Sequence, residues 1–376
     1  MKGRLLAALY VAAVVVVSIQ ATAHHNNNFE IFRTSFLNLA GGADLYAASD
    51  RHRDFFKYSP SFALLFAPFA LVPFWLGVML WNGANAFALY WGLGRVLRGE
   101  PLLAARALVF LDTVGAMQNV QSNALVAGLM IIACGELDRR RELRAAAAIA
   151  VGTAIKLFPI VAAAYALFRP YRIPRFALYG VAAGAALIAA PLVIISPAAL
   201  VAQYQSWGAI QELDALTRGH SVMHQLELWM GLGLPNWPIQ LVGVIALLAP
   251  LVRLQYWGIE RFRMLFLASL LMFCVLFNHK AESPTFVVAL AGVAIWLAFA
   301  PRTPATWTAL GLVVIGTVLS SSDAMPKAIQ ESVFEPYRLK ILPVLLVWVL
   351  TQVELWRQSA PAQSPATRSS REVPAT

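Results

Sequence analysis

The sequence predicts an all-α, polytopic transmembrane helix bundle of about 12 passes, and three observations lead there. Apolar residues make up 59% of the chain and charged residues only 13%, about half the charged share of an ordinary soluble domain. The apolar residues gather into runs near 4–22, 74–96, 103–117, 123–137, 176–195, 237–252, 262–277, 284–300, 306–320 and 340–356. The charges fall between these runs and are sorted by sign along the chain. A soluble core cannot absorb so much apolar surface in 376 residues, so lipid is the expected solvent.

Several runs are shorter than the roughly 20 residues that cross a full hydrocarbon core, which shelters those helices inside the bundle. The apolar stretch between Arg144 and Arg169 is read as a helical hairpin that breaks near Lys156 and Pro159. A single crossing there would carry most later cations outside, against the positive-inside rule. With the hairpin, cytoplasmic segments hold 19 Lys/Arg against 7 Asp/Glu, and outer segments hold 9 against 11. The net charge of +10 is then an orientation signal, and no nucleic-acid partner is expected. Both termini fall on the cytoplasmic side. Residues 1–356 read as a single integral membrane domain, and 357–376, rich in Ser, Pro and Ala, as a disordered cytoplasmic tail. Met1–Arg4, the following apolar run and Ala21-Thr22-Ala23 have the outline of a signal peptide. The run from Leu5 to Ile19 is at the upper limit for such a segment, and an uncleaved first helix is the preferred reading.

Cys134 and Cys274 sit inside apolar runs and read as small buried hydrophobes. No zinc spacing, P-loop or dinucleotide fingerprint occurs, His220 and His224 lack metal-ligand spacing, and neither metal nor cofactor is expected. The cytoplasmic loops are short and basic, so chemistry is expected in the outer segments 23–58, 196–236 and 321–339. The first is the densest in polar groups: Glu30, Arg33, Asp44, Asp50, Arg51, His52, Arg53, Asp54, Lys57 and Tyr58. Within it Phe29, Ile31, Phe32, Phe36, Leu37 and Leu39 approximate an amphipathic interfacial helix ending at Gly41-Gly42. Pro60 to Pro73, punctuated by three prolines, is too short to span. It predicts a short helix tucked at membrane depth that holds Lys57 and Tyr58 near headgroup level. Asp112 lies mid-run, Gln121 and Asn123 in the outer turn that follows, and Lys156 at the hairpin apex. Ionisable groups at such depth are costly unless paired or facing water. They are either functional or, as an Asp112–Lys156 pair, a device fixing helix packing. Lys280 and Glu282 belong to another outer turn, 278–284.

Four motifs come in order over roughly residues 28–160: Gly41-Gly42-Ala43-Asp44-Leu45-Tyr46, Lys57-Tyr58-Ser59-Pro60, Gln121-Ser122-Asn123-Ala124-Leu125 and Lys156-Leu157-Phe158-Pro159. In these the chain resembles glycosyltransferase family 87, the bacterial polyprenol-phosphate-mannose-dependent mannosyltransferase relatives. The resemblance implies a GT-C fold. It also implies inverting transfer of a hexose, mannose foremost, from a polyprenyl-phosphate donor to a lipid or glycan acceptor. The site would face the periplasmic or extracellular side of a bacterial cytoplasmic membrane. Such chemistry needs a general base, cations for the departing lipid phosphate and a mouth open to the bilayer. Where the family carries a first-loop Asp this chain has Asn28, which cannot accept the proton, and its Tyr-Pro-Pro is here Tyr58-Ser59-Pro60. Glu30 or Asp44 is therefore the expected catalytic base. Lys57, Tyr58, Gln121, Asn123, Lys156, His220, Lys280 and Glu282 are the expected substrate-binding residues. The alternatives are a transporter or lipid flippase, or a catalytically inactive assembly relative. A transporter should show matched repeats with broken helices, and none is evident; Asn28 is what keeps the inactive relative in view.

Overall fold

Each apolar run becomes helix, and the helix ends fall where capping chemistry and prolines put them. A computed structural model describes residues 1–215, 218–322 and 325–358; the expected tail lies outside the described residues from 359 onward. Helix α1 (Lys2–Ala23) turns directly into α2 (Asn27–Ala40). The Asn26 side chain caps α2 by accepting from the backbone N–H groups of Asn28 and Phe29 at 3.0 and 3.3 Å. α2 buries Phe29, Ile31, Phe32, Phe36 and Leu39 and ends at Gly41; Gly42 follows at φ +72°, a conformation that costs glycine little. The segment after it forms two short helices, α3 (Pro60–Leu65) and α4 (Ala67–Ala70), bent at Phe66, where a single one was expected.

Five helices then lead to the hairpin: α5 (Phe74–Val96), α6 (Gly99–Leu108), α7 (Phe110–Gln118), α8 (Asn123–Asp138) and α9 (Glu142–Ile155). The run 103–117 is thus divided at Val109. After α9 the backbone goes extended at Lys156 (φ −141°, ψ 144°), and a 3-10 helix, Phe158–Phe168, packs back against α8 and α9. Arg172 reaches Glu142 at 2.5 Å, so the two ends of this stretch lie together while Lys156 lies at the far turn. The rest comprises α10 (Ile173–Ala189), α11 (Pro197–Asp214), α12 (Val222–Met230), α13 (Asn236–Leu248), α14 (Glu260–Leu276), α15 (Phe286–Phe299), α16 (Pro304–Val313), the single turn α17 (Lys327–Ile329) and α18 (Ile341–Arg357).

Among the described residues, three helical stretches are long and apolar enough to cross a bilayer alone: Lys2–Ala23, Pro170–Val193 and Pro304–Ser321. Phe158–Phe168, Asn236–Val252 and Ser283–Phe299 are apolar but shorter. α14 and α15 are buried almost all round, whereas α10 turns Leu178, Val181 and Ile188 outward, as a lipid-facing helix does. One end of the bundle is tied by arginine–carboxylate pairs: Arg95–Glu136, Arg263–Asp138 at 2.9 Å and Arg261–Glu354 at 2.7 Å. Asp112 is buried against Lys340 at 3.7 Å, not against Lys156. Lys340 is also the group that donates to Ser283 Oγ at 2.8 Å, so the pair anchors the turn before α15.

Candidate active site

At the end opposite the arginines lies a cavity of about 450 Å³. α2 presents Asn28, Ile31 and Phe32 to it, and the segment before α3 presents Asp54, Lys57 and Tyr58. α11 supplies Trp207, Gln211 and Asp214, and the 278–285 turn supplies His279, Lys280 and Glu282. The break after α9 contributes Lys156 and, with the end of α14, an apolar wall of Ile155, Leu157, Phe158, Val161, Phe273 and Phe277. Leu157 is half-exposed, which continues this wall to the outer surface of the bundle.

The backbone at Lys57 is held from α11. Trp207 Nε1 and Gln211 Nε2 both donate to its carbonyl, at 3.1 and 2.9 Å. One turn earlier Gln203 accepts from Leu45 N and donates to the Ala43 carbonyl, each at 3.0 Å. Lys57 Nζ lies 3.0 Å from Asp54 and 3.5 Å from Asp214, whose Oδ1 is 2.9 Å from Lys280 Nζ. Burial alone would depress the Lys57 ammonium. Asp54 and Asp214 outweigh that and leave its pKa above the ordinary lysine value, so the cation stays charged. The buried Tyr58 phenol is pushed up, first by burial and then by the charge of Glu282, and remains protonated.

A second chain of contacts crosses the cavity floor. Lys156 Nζ donates to Asn123 Oδ1 at 2.7 Å, Asn123 Nδ2 to Gln121 Oε1 at 2.5 Å, and Gln121 Nε2 to Glu282 Oε2 at 2.7 Å. An ammonium only donates and an ionised carboxylate only accepts, so the two ends dictate the orientation of both amides between them. Glu282 is also held at its base by a reciprocal cap with Thr285, whose hydroxyl accepts from Glu282 N at 3.2 Å.

Six of the expected residues therefore line one cavity: Lys57, Tyr58, Gln121, Lys156, Lys280 and Glu282, with Asn123 one hydrogen bond behind. Three do not. To replace the family's Asp, Glu30 would have to share a side with position 28, two residues back along the backbone. That backbone is helical, and at about 100° per residue position 30 faces away from 28, 31 and 32. Its carboxylate accepts from Thr34 Oγ1 at 3.4 Å instead. Asp44 caps a turn, accepting from Tyr46 N at 3.1 Å and Ser206 Oγ at 3.4 Å. His220 packs its ring edge-on to Phe286, and its N–H donates to the Ala281 carbonyl at 2.6 Å, which braces the 278–285 turn from behind. Asp214, Trp207 and Gln211 were not anticipated. Their spacing of i, i+4, i+7 from residue 207 on an outer helix was a readable signal for one polar face.

A helical bundle with lipid-length helices and a cavity at one end that is part polar and part apolar defines an integral membrane protein. The chain belongs to glycosyltransferase family 87, whose family model matches residues 55–278, and it is a membrane glycosyltransferase. The matched stretch carries Lys57, Tyr58, Gln121, Lys156 and Asp214; Lys280 and Glu282 follow immediately after it. None of the curated proteins matches the sequence.

Proposed function

We propose that the enzyme transfers a hexose, with mannose as the sugar the family resemblance implies, from a polyprenyl-phosphate donor to a lipid or glycan acceptor. The reaction would take place at the outer face of a bacterial cytoplasmic membrane, with the helices arranged as a GT-C bundle of about 12 passes. One observation carries this reading: Lys57, Lys156 and Lys280 share a cavity with an apolar wall that runs outward through Leu157. A lipid phosphate needs both halves. Its polyprenyl chain would lie along Ile155, Leu157, Phe158 and Val161, and its phosphate would meet the lysines. The leaving group is already an anion, so ammonium groups placed beforehand stabilise the charge that grows on it as the sugar departs. Lysine acts here as a point charge needing no fixed bidentate geometry.

A transporter would also need polar groups at depth such as Asp112 and Lys156, of which only Lys156 lines the cavity. Asp112 is bound to Lys340 and does not reach the cavity, which favours a structural role for it. The test is purified protein supplied with radiolabelled polyprenyl-phosphate mannose, polyprenyl-phosphate glucose or nucleotide sugars, together with membrane lipid acceptors. Label should move to the acceptor from a lipid-phosphate donor. Transfer from nucleotide sugars alone would discard the donor assignment.

A further inference from the structure

Glycosyl transfer with inversion requires a carboxylate near the acceptor hydroxyl, and position 28, which faces the cavity, holds an amide. Its Nδ2 is engaged with the Asn119 carbonyl at 2.7 Å. Neither Glu30 nor Asp44 reaches the cavity, which leaves Asp54, Asp214 and Glu282 as the acidic residues lining it among those described. Asp54 and Asp214 are already engaged in ion pairs, Asp54 with Lys57 and Asp214 with both Lys57 and Lys280. Glu282 instead accepts from neutral groups, the Gln121 amide and a backbone N–H.

Its turn is also held from neighbouring segments. Gly219 N donates to the His279 carbonyl and His220 N to the Ala281 carbonyl, both at 2.6 Å, while Lys340 holds Ser283. A Cβ on Gly219 would stand 2.2 Å from the Ala281 carbonyl oxygen, so the approach of the two segments depends on that glycine.

We propose that Glu282 is the general base of this enzyme, with Gln121 and Asn123 as positioning residues that tie it to Lys156. The assignment rests on the glycosyl-transfer reading above. The acceptor hydroxyl oxygen bonds to the anomeric carbon, and its proton passes to the Glu282 carboxylate. The bond from that carbon to the donor phosphate breaks, and its electron pair stays on the phosphate oxygen. The products are the inverted glycoside and polyprenyl phosphate, and Glu282 later returns its proton to water. The amide relay gives both charges a common support. Lys156, beside the leaving phosphate, and Glu282, beside the incoming hydroxyl, cannot shift independently.

The test compares wild-type enzyme with Glu282→Gln, Glu282→Asp and Glu30→Gln. The measurements are single-turnover transfer, donor binding and the pH dependence of kcat/KM. Glu282→Gln should lower transfer by about 10²- to 10⁴-fold and leave donor affinity within about threefold. Any fall in the wild-type rate toward acid pH should be absent from its residual rate. Glu30→Gln should transfer like wild type. Should Glu282→Gln fail to fold, Glu282→Asp carries the test: with the carboxylate withdrawn by one methylene, the rate should fall while donor affinity holds. Either variant transferring at the wild-type rate with an unchanged pH limb overturns the assignment. The donor reading fails separately. If only a nucleotide sugar is used, the same comparison on that donor still decides the base.

Discussion

The contact between α5 and α8 offers the sharpest link from packing to catalysis. Gly92 and Gly128 meet there without side chains between the backbones. A Cβ on Gly128 would stand 2.4 Å from both the carbonyl carbon and oxygen of Ala88 and 2.7 Å from Leu89 N, where ordinary contact begins near 3.4 Å. Gly128→Ala therefore forces the two backbones apart by about 1 Å, an overpacking that costs about 1–3 kcal/mol. No flexible side chain can yield, because every atom in the way is backbone. The consequence reaches the cavity because α8 begins at Asn123, the middle of the Lys156–Glu282 relay, and is tied to α5 by Leu125 N donating to Asn85 Oδ1 at 2.9 Å. A displacement of that size stretches contacts of 2.5 and 2.7 Å beyond hydrogen-bonding range. Misplacement by about 1 Å at a catalytic group can cost 10²-fold in rate. Gly128→Ala should thus lower the detergent melting temperature and reduce turnover by one to two orders of magnitude at saturating donor. Gly184→Ala on α10, where nothing lies within 4 Å, is the control and should keep activity with stability equal or slightly raised. A Gly128→Ala enzyme that melts and turns over like wild type would refute the claim that this close approach positions the relay.

Four further outcomes follow from the same geometry. Lys57→Met should weaken donor binding by about 10- to 100-fold, the worth of one charged hydrogen bond, with melting little changed; equal titrations for the two proteins would remove Lys57 from the phosphate site. Asp112→Asn leaves Lys340 buried without its anion and should cost about 3–5 kcal/mol, whereas pairing it with Lys340→Met should cost less than the sum of the single changes in a thermal-melt cycle. His220 is pushed down to about 4 by burial and by Arg338, Lys340 and His224, so it is neutral in the fold while the unfolded chain protonates near 6.5. Its contribution to stability is present above pH 6.5 and lost as pH falls through 4; His220→Gln should flatten melting temperature across that window, and an unchanged slope would assign the loss to other groups. Cysteines at Tyr171 and Ala48 should react from opposite sides of the membrane, position 171 from the cytoplasm; labelling of both from one side would invert half of the proposed topology.

The sequence carried the helices and most of the cavity because both depend on local chemistry. Apolar runs bounded by prolines and capping residues determine where α2 stops and where α9 breaks at Lys156. The lysines stood out because an ionisable group beside an apolar run demands a reason. What local chemistry does not carry is direction. Glu30 has the chemistry of a base, yet the Asn26 cap and the spacing of Phe29, Phe32 and Phe36 make that segment helical and turn position 30 away from position 28. Asp112 was legible as a buried charge, but its partner is Lys340, 228 positions later, and only the fold brings them together. For Asp214 the spacing from Trp207 and Gln211 signals only a shared helix face, and its placement in the cavity depends on α11 folding back over the first loop through Gln203, Trp207 and Gln211.

The two families of polar contacts in the cavity would divide the work that transfer from the proposed lipid-phosphate donor requires. Lys57, Asp54, Asp214 and Lys280 form an alternating set of charges in which each cation already faces an anion. An arriving phosphate competes with those carboxylates for the ammonium groups, so the net gain on binding is smaller than bare lysines would give. That would suit the proposed reaction, whose product is also a lipid phosphate, because a cluster of uncompensated cations would hold the leaving group as tightly as the donor. The Lys156–Asn123–Gln121–Glu282 relay is different, with two neutral amides between its cation and its carboxylate. Its cation and its carboxylate remain available to the reacting atoms instead of to each other. Charge pairing therefore moderates binding on one wall, and amide spacing preserves reactivity on the other. The apolar side chains from Ile155 to Val161 lie beside the relay, where the donor's lipid chain would bring its phosphate past Lys156.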